Sequence, residues 1–421
     1  MAKIDGMSSH TLLEIAGSPL QLGLAQGKAF ASEKGKYFAS MKQYPNLPPW
    51  IRPLIISPLV RAWLRYRGKR VKKLIHPVLS RDLDGDWEQR LAGLASGFGM
   101  DLHEVYGFNS VEILTAKTPA SGATTASGVG TFAAGCTSLA FDADLTDEKT
   151  PILAYNHDYI PIFSPFLIVR KNRPKNFYAS LSLTYQPAVG AIAGVNDQGL
   201  AVSLNHGYTI DDITPGIPLA FLVQTCLDRC ASTQEAITLV ERLPVPCGGI
   251  MTFIDAEGDR VAMELSPSRR TLREMSDKPL FSFNQYQLSE MQSVEIPQNA
   301  VFPWWFYPVI LRGKKFHEFN WARRERYEVL TRSTIRQAHG GEPSRTTSSG
   351  QARNRKKWSR KAIIKILSDH GAENKPGRLT ICRHQPETAN TVASALIYPK
   401  KKTMEICLGN PCSGSYRTYR L

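Results

Sequence analysis

The spacing of apolar positions changes about a third of the way along the chain. Ahead of Cys136, apolar and small residues recur at helical intervals. Ser18-Pro19 opens one such run, SPLQLGLAQGKAF, because a serine N-cap followed by proline is a helix start. Prolines cut residues 45–79 into short pieces, and the part from Pro58 reads as a basic amphipathic helix. Residues 84–113 hold two further helical runs, DWEQRLAGLASGF and DLHEVYGFNSVEILT. Asp101 is placed as an N-cap with Glu104 three residues on. The first 119 residues therefore read as mostly helical.

From Cys136 the period becomes two. LAFDAD, PILAYNHDY, FLIVRK, FYASLSLTY, AVGAIAGVN and LAVSLNHG are short strands bounded by turn residues. GVNDQGLAVSLN reads as a hairpin. Two helices follow, PLAFLVQTCLDRCAS and TQEAITLVERL. Strands return in GGIMTFIDAEGDRVAMELSP and PLFSFNQY, and again on either side of the Pro-Lys-Lys-Lys turn in TANTVASALIYPKKKTMEICLGNPC. Strands, then helices, then strands imply an α+β domain with an antiparallel sheet. Residues 302–360 interrupt this order as a basic, aromatic insertion whose stretch KKFHEFNWARRERYEVLTRS has helical character and whose later part is polar.

The net charge of +15 is concentrated. Residues 301–365 carry 16 Lys and Arg against 4 Glu, and residues 51–73 carry 8 basic residues and no acid. These two segments suit an anionic substrate or an anionic membrane surface. With no nucleic-acid-binding motif around them, specific nucleic-acid binding is not expected. No basic segment followed by an apolar one opens the chain, and no run of eighteen apolar residues occurs, so a cytoplasmic enzyme is expected. The seven cysteines are odd in number and lack C-x-x-C pairs. That spacing argues against a disulfide framework and a zinc site, and no metal or cofactor is expected. Nucleotide and zinc-protease motifs are absent from the sequence as well.

The candidate chemistry lies where the period changes. The slack run ASGATTASGVGTFAAGCTS, Ala120 to Ser138, delivers Gly135-Cys136 to the start of a strand. A thiol there can attack the preceding Gly135 carbonyl, since glycine has no Cβ to obstruct it. Hydrolysis of the thioester then frees a new N-terminus. Cys136 would hold both the nucleophilic sulfur and, in its α-amine with a pKa near ~8, the base. Asp158, Asn205, Asn284 and Arg383 close or follow strands and supply the remaining polar groups that acyl transfer needs. Asp158 would orient the amine, the two asparagines would meet the oxyanion, and Arg383 would clamp Asp158. Ser138, His157 and Tyr159 beside them are candidate substrate contacts. His157 and His206 also admit a cysteine–histidine pairing.

The ordered motifs SPLQLGLAQGKAF, GCTS, YNHDY, GVNDQGLAVSLNHG, SFNQY, TICRH and TVASALIYP…ICLGNPC resemble the acyl-CoA:6-aminopenicillanic acid (isopenicillin N) acyltransferase family of N-terminal nucleophile hydrolases. The resemblance implies a four-layer αββα sandwich and cleavage ahead of Cys136. It divides the chain into an N-terminal segment 1–135 and a catalytic region 136–421, held together as a heterodimer. It also implies action on a small N-acyl or acyl-CoA substrate. By motif it assigns Cys136 as nucleophile, Asp158 to the amine, Asn284 and Asn205 to the oxyanion, and Arg383 to the nucleophile's surroundings. His157 stands where the family usually has tryptophan. The readings are thus an amide hydrolase, an acyl-CoA-dependent N-acyltransferase, or an inactive anion-binding relative.

Overall fold

The computed structural model describes residues 3–5, 11–43, 52–54, 57–110, 113, 135–275, 278–302, 309–336, 357–385 and 387–421. The linker ahead of Gly135, the FPWWFYP aromatics after Phe302 and most of the polar half of the basic insertion lie outside these residues. Among these residues, fifteen strands build two sheets. They are β1 Lys3–Asp5, β2 Leu12–Gly17, β3 Gly135–Phe141, β4 Ile152–Tyr159, β5 Leu167–Pro174, β6 Ser180–Tyr185, β7 Ala193–Asn196, β8 Ala201–His206, β9 Gly249–Ile254, β10 Arg260–Leu265, β11 Arg270–Arg273, β12 Leu280–Ser282, β13 Asn390–Tyr398, β14 Thr403–Leu408 and β15 Arg417–Arg420. The larger sheet has the order β1-β2-β5-β6-β7-β8-β9-β10-β11, and the smaller β12-β3-β4-β13-β14-β15.

The strand register explains the layers. In β3, Cys136 and Ala140 face the larger sheet while Leu139 and Phe141 face outward. In β4, Leu153 and Tyr155 face inward and Ile152 and Ala154 outward. Inward residues meet Leu181, Leu183, Val195, Ala201 and Ile250 of the larger sheet and form a dry layer between the sheets. Alternation at period two sends every second side chain to that layer.

The other face of the larger sheet, with Leu13, Val202, Met251 and Phe253, is covered by helices. These are α1 Pro19–Ala29, α2 Lys34–Met41, α3 Ser57–Asp82, α4 Asp86–Phe98, α5 Leu102–Phe108, α6 Leu219–Arg229 and α7 Thr233–Arg242. On the outer face of the smaller sheet lie α8 Glu318–Arg336 and α9 Arg360–Leu367, contributing Tyr327, Ile363, Ile366 and Leu367. The four layers are helices, sheet, sheet, helices, the αββα architecture.

Ser18 caps α1 and Asp101 caps α5, both with complete capping boxes. Two features differ from the period-based reading. The N-terminal part also contributes β2, which runs parallel to β5. Its strand is short, and only the alternation of Leu13 and Ile15 betrays it. RLTICR forms no strand, and Arg383 joins Gly377 through an isolated bridge in a loop. Arg61 and Arg65 of the basic helix α3 bind the buried carboxylate of Glu104, so part of its charge is spent inside the protein. Among the described residues no helix is long and apolar enough to cross a membrane.

Candidate active site

Cys136 lies at the start of β3, 2% exposed. Its main-chain N–H donates to Asn284 Oδ1 at 2.6 Å. Its sulfur is 3.3 Å from the Tyr155 hydroxyl and 3.8 Å from His157 Nδ1. The Tyr155 hydroxyl also reaches the Leu204 carbonyl at 2.8 Å, and its single proton serves one neighbour at a time. Burial, and next the nearby Asp158 charge, push the thiol up to about 11. At neutral pH it is therefore a thiol that needs a proton acceptor before it can attack.

Residue parity distributes the partners. His157 follows Tyr155 on the inward face, while Asp158 points outward. There it meets α8, the helix of the basic insertion. Arg323 Nη1 is 3.4 Å from Asp158 Oδ2 and 2.9 Å from the Cys136 carbonyl oxygen. Arg323 Nη2 donates to Asn284 Oδ1 at 2.9 Å and Asn320 Oδ1 at 2.7 Å. Both members of the Arg323–Asp158 ion pair have fully buried side chains. Thr391 Oγ1 adds a hydrogen bond to Asp158 Oδ1 at 2.7 Å. A register shift between Thr391 and Ala393 in β13 accompanies that reach.

Burial raises the Asp158 carboxyl to about 6, against the lowering effect of first Arg383 and then Arg323. Burial lowers Arg323 to about 10 despite the Asp158 charge, and lowers Arg383 as well. One carboxylate faced by two guanidiniums leaves the pocket net positive when all three are charged. That balance favours a developing oxyanion.

The two asparagines are held differently. Asn284 Nδ2 donates to the His206 carbonyl at 2.9 Å, so its oxygen faces Cys136 and Arg323. Asn205 Oδ1 accepts from Ser138 at 2.5 Å, and its Nδ2 donates to the Ser282 carbonyl at 3.0 Å. Each amide thus commits one N–H to a main-chain carbonyl. Ser138 is fully buried between the sheets, also 2.8 Å from Ser203 Oγ. It sits among the groups that fix Asn205.

His157 and Tyr159 form an aromatic wall. Their rings stack at 5.4 Å, and Tyr185 and Phe163 lie 5.8 and 5.9 Å from Tyr159. His157 Nε2 is 3.0 Å from the Tyr185 hydroxyl. Burial and next the neighbouring His206 lower His157 to about 3, so the ring is neutral. In the tautomer that donates Nε2–H to Tyr185, Nδ1 faces the sulfur as an acceptor.

The fold therefore gathers Cys136, Asp158, Asn284 and Arg383, places Asn205 two residue steps along β3 beside Ser138, and adds Tyr155, Tyr185, Thr391 and Arg323. Arg323 has a signal in the sequence. Phe319, Asn320, Tyr327 and Thr331 share its helical face, so it stands in the middle of a buried stripe. The remaining cysteines divide. Cys226, Cys230 and Cys407 are buried. Cys382 and the exposed Cys412 instead lie with His370 and His384, all four ligand atoms within 4.8 Å of one another. The cysteine spacing in the sequence does not point to this grouping, which brings His370, Cys382, His384 and Cys412 together in the fold.

The αββα sandwich is of the N-terminal nucleophile hydrolase type, a class of amide hydrolases and acyltransferases. The chain belongs to the acyl-coenzyme A:6-aminopenicillanic acid acyl-transferase family, whose model matches residues 145–413. Cys136 precedes the matched stretch, while Asp158, Asn205, Asn284, Arg323 and Arg383 fall within it. No curated protein matches the chain. Among solved structures, the Caenorhabditis elegans N-acylethanolamine-hydrolyzing acid amidase ortholog is 14% identical and covers 63% of this chain and 93% of its own, at a TM-score of 0.37. A variant of the conjugated bile acid hydrolase from Clostridium perfringens is 13% identical, covering 68% and 97%, at 0.39. Penicillin V acylase from Agrobacterium tumefaciens is 14% identical, covering 65% and 83%, at 0.31.

Proposed function

We propose that the protein is a self-processing cysteine enzyme that cleaves a linear amide bond, or transfers its acyl group, through a thioester on Cys136. The observation that carries this is the 2.6 Å hydrogen bond from the Cys136 nitrogen to Asn284, beside the Arg323–Asp158 pair. The nitrogen that becomes the α-amine after cleavage is already held there.

In the uncut chain the Cys136 sulfur attacks the Gly135 carbonyl and the C–N bond breaks. The acyl group moves to sulfur and the nitrogen becomes an amine. Water then adds to the thioester, which releases the thiol and leaves Gly135 as a carboxylate. In turnover the α-amine takes the thiol proton and returns it to the leaving amine. Asn284, Asn205 and the two arginines stabilise the oxyanion. Water or an acceptor amine completes the cycle.

Intact-mass measurement of the purified chain tests this. Fragments of roughly 15 and 32 kDa are expected, the second beginning Cys-Thr-Ser-Leu, from a chain of 46.8 kDa. Cys136→Ala should remain whole. A wild type that stays whole while hydrolysing or transferring acyl groups would overturn it. Incubation with acyl-CoA separates transfer from hydrolysis: thiol release that depends on an added amine marks a transferase.

A second reading has its own support in the 3.8 Å approach of His157 Nδ1 to the sulfur. In it an uncut chain works as a cysteine–histidine pair. Activity without cleavage, lost in His157→Gln, would favour it.

A further inference from the structure

His370 follows α9, Cys382 and His384 flank Arg383 in its loop, and Cys412 lies in the turn after β14. His384 Nε2 is 3.2 Å from His370 Nε2 and 3.4 Å from each of the Cys382 and Cys412 sulfurs. One ring nitrogen has either one proton or one lone pair, so it can satisfy only one such neighbour by hydrogen bonding. Three at once is the pattern of ligands around a common centre.

We infer that these four side chains form a structural zinc site that stitches the C-terminal turn to the Arg383 loop. Tetrahedral zinc with Zn–N of 2.0–2.1 Å and Zn–S of 2.3 Å spaces its ligand atoms about 3.3–3.8 Å apart. The observed separations at His384 lie close to that range. The widest separation allowed by the 4.8 Å spread closes by about 1 Å on binding. Two sulfurs and two imidazoles suit zinc rather than magnesium or calcium, which take oxygen. Both thiols lose their protons to solvent on binding, and no redox change occurs. The two thiolates balance the metal's charge, which suits a half-buried position.

The surroundings fit a metal site. Asn410 Nδ2 is 3.7 Å from the Cys382 sulfur and donates to the Arg383 carbonyl at 2.9 Å. The Arg383 N–H donates to Thr391 Oγ1 at 2.8 Å, the hydroxyl that reaches Asp158. A metal bound to the residues on either side of Arg383 would fix the loop that brings this guanidinium to the pocket. The inference does not depend on Cys136 being a nucleophile.

The test uses the full chain, expressed with added zinc and purified in reducing buffer, with metal measured by inorganic mass spectrometry. One zinc per chain is expected in wild type, and little in the Cys382→Ser/Cys412→Ser double variant. Cobalt should replace zinc with the thiolate-to-metal charge-transfer and intense visible bands of a tetrahedral site. Should the double variant fail to fold, Cys412→Ser at an exposed position serves instead. A chelator should lower the melting temperature of wild type but not of that variant. Equal zinc content in wild type and variant would overturn the inference. So would a Cys382–Cys412 disulfide, trapped by thiol blocking at lysis, in metal-free protein.

Discussion

Arg323 donates to the carbonyl oxygen of Cys136 at 2.9 Å from a helix 187 residues further along the chain. The same guanidinium pairs with Asp158 and holds the Asn284 oxygen that accepts the Cys136 N–H. One side chain thereby fixes the Cys136 backbone, Asp158 and Asn284 together.

Arg323→Ala should therefore stop self-processing and destabilise the fold. Arg383 and Thr391 remain beside Asp158 in that variant, so the cost should stay below the about 3–5 kcal/mol of a buried pair left with no partner. Denaturant unfolding and intact mass check the two effects. Arg323→Lys keeps the charge but not the fork of donors, so it should restore part of the stability and less of the processing.

The raised Asp158 carboxyl sets a pH dependence. Between its ordinary value of 3.8 and about 6 the folded chain holds a proton that the unfolded chain has lost. Stability attributable to this group thus falls as pH rises through that window, by roughly 3 kcal/mol, and is level above it. Asp158→Asn should flatten the slope. On the proposed mechanism the ionised Asp158 is the competent form, so the processing rate should fall below about pH 6 in wild type. That limb should persist in His157→Gln, because burial keeps His157 neutral to about 3. A limb that vanishes with His157 would assign it to the wrong group here.

A Cβ at Gly135 would lie 2.6 Å from Arg383 Nη1, 3.0 Å from Asp158 Oδ2 and 3.2 Å from Arg323 Nη1. Gly135→Ala must push this charged cluster apart. Processing should slow by an order of magnitude or more, roughly the effect of a small misplacement of reacting groups. Time-resolved fragment formation on a gel measures it.

Asn284→Ala removes the acceptor for the Cys136 nitrogen and, on the proposed mechanism, an oxyanion donor. A fall in kcat of about 10²–10³-fold with little change in KM is the expected signature. A change confined to KM would place Asn284 in substrate binding instead.

Much of this organisation is legible without coordinates. The switch from helical to alternating spacing at Cys136 falls where β3 begins, although β1 and β2 of the larger sheet already precede it. Alternation also fixes which of Tyr155, His157 and Asp158 share a face. The small Gly135-Cys136 junction and the strand-end polar residues stand out by composition. Arg323 was hidden because its basic neighbours make the insertion look like solvated surface. The sequence places Arg383 after a strand, yet it sits in a loop held by hydrogen bonds from afar.

Sequence alone determined which runs alternate, which recur at helical spacing and which side chains share a strand face, since residue spacing acts through steric rules that reach only a few positions. Only the tertiary structure decided that α8 closes the pocket and that His370, Cys382, His384 and Cys412 meet. Those contacts join separate stretches of the chain, and only the packed fold brings them within a few ångströms.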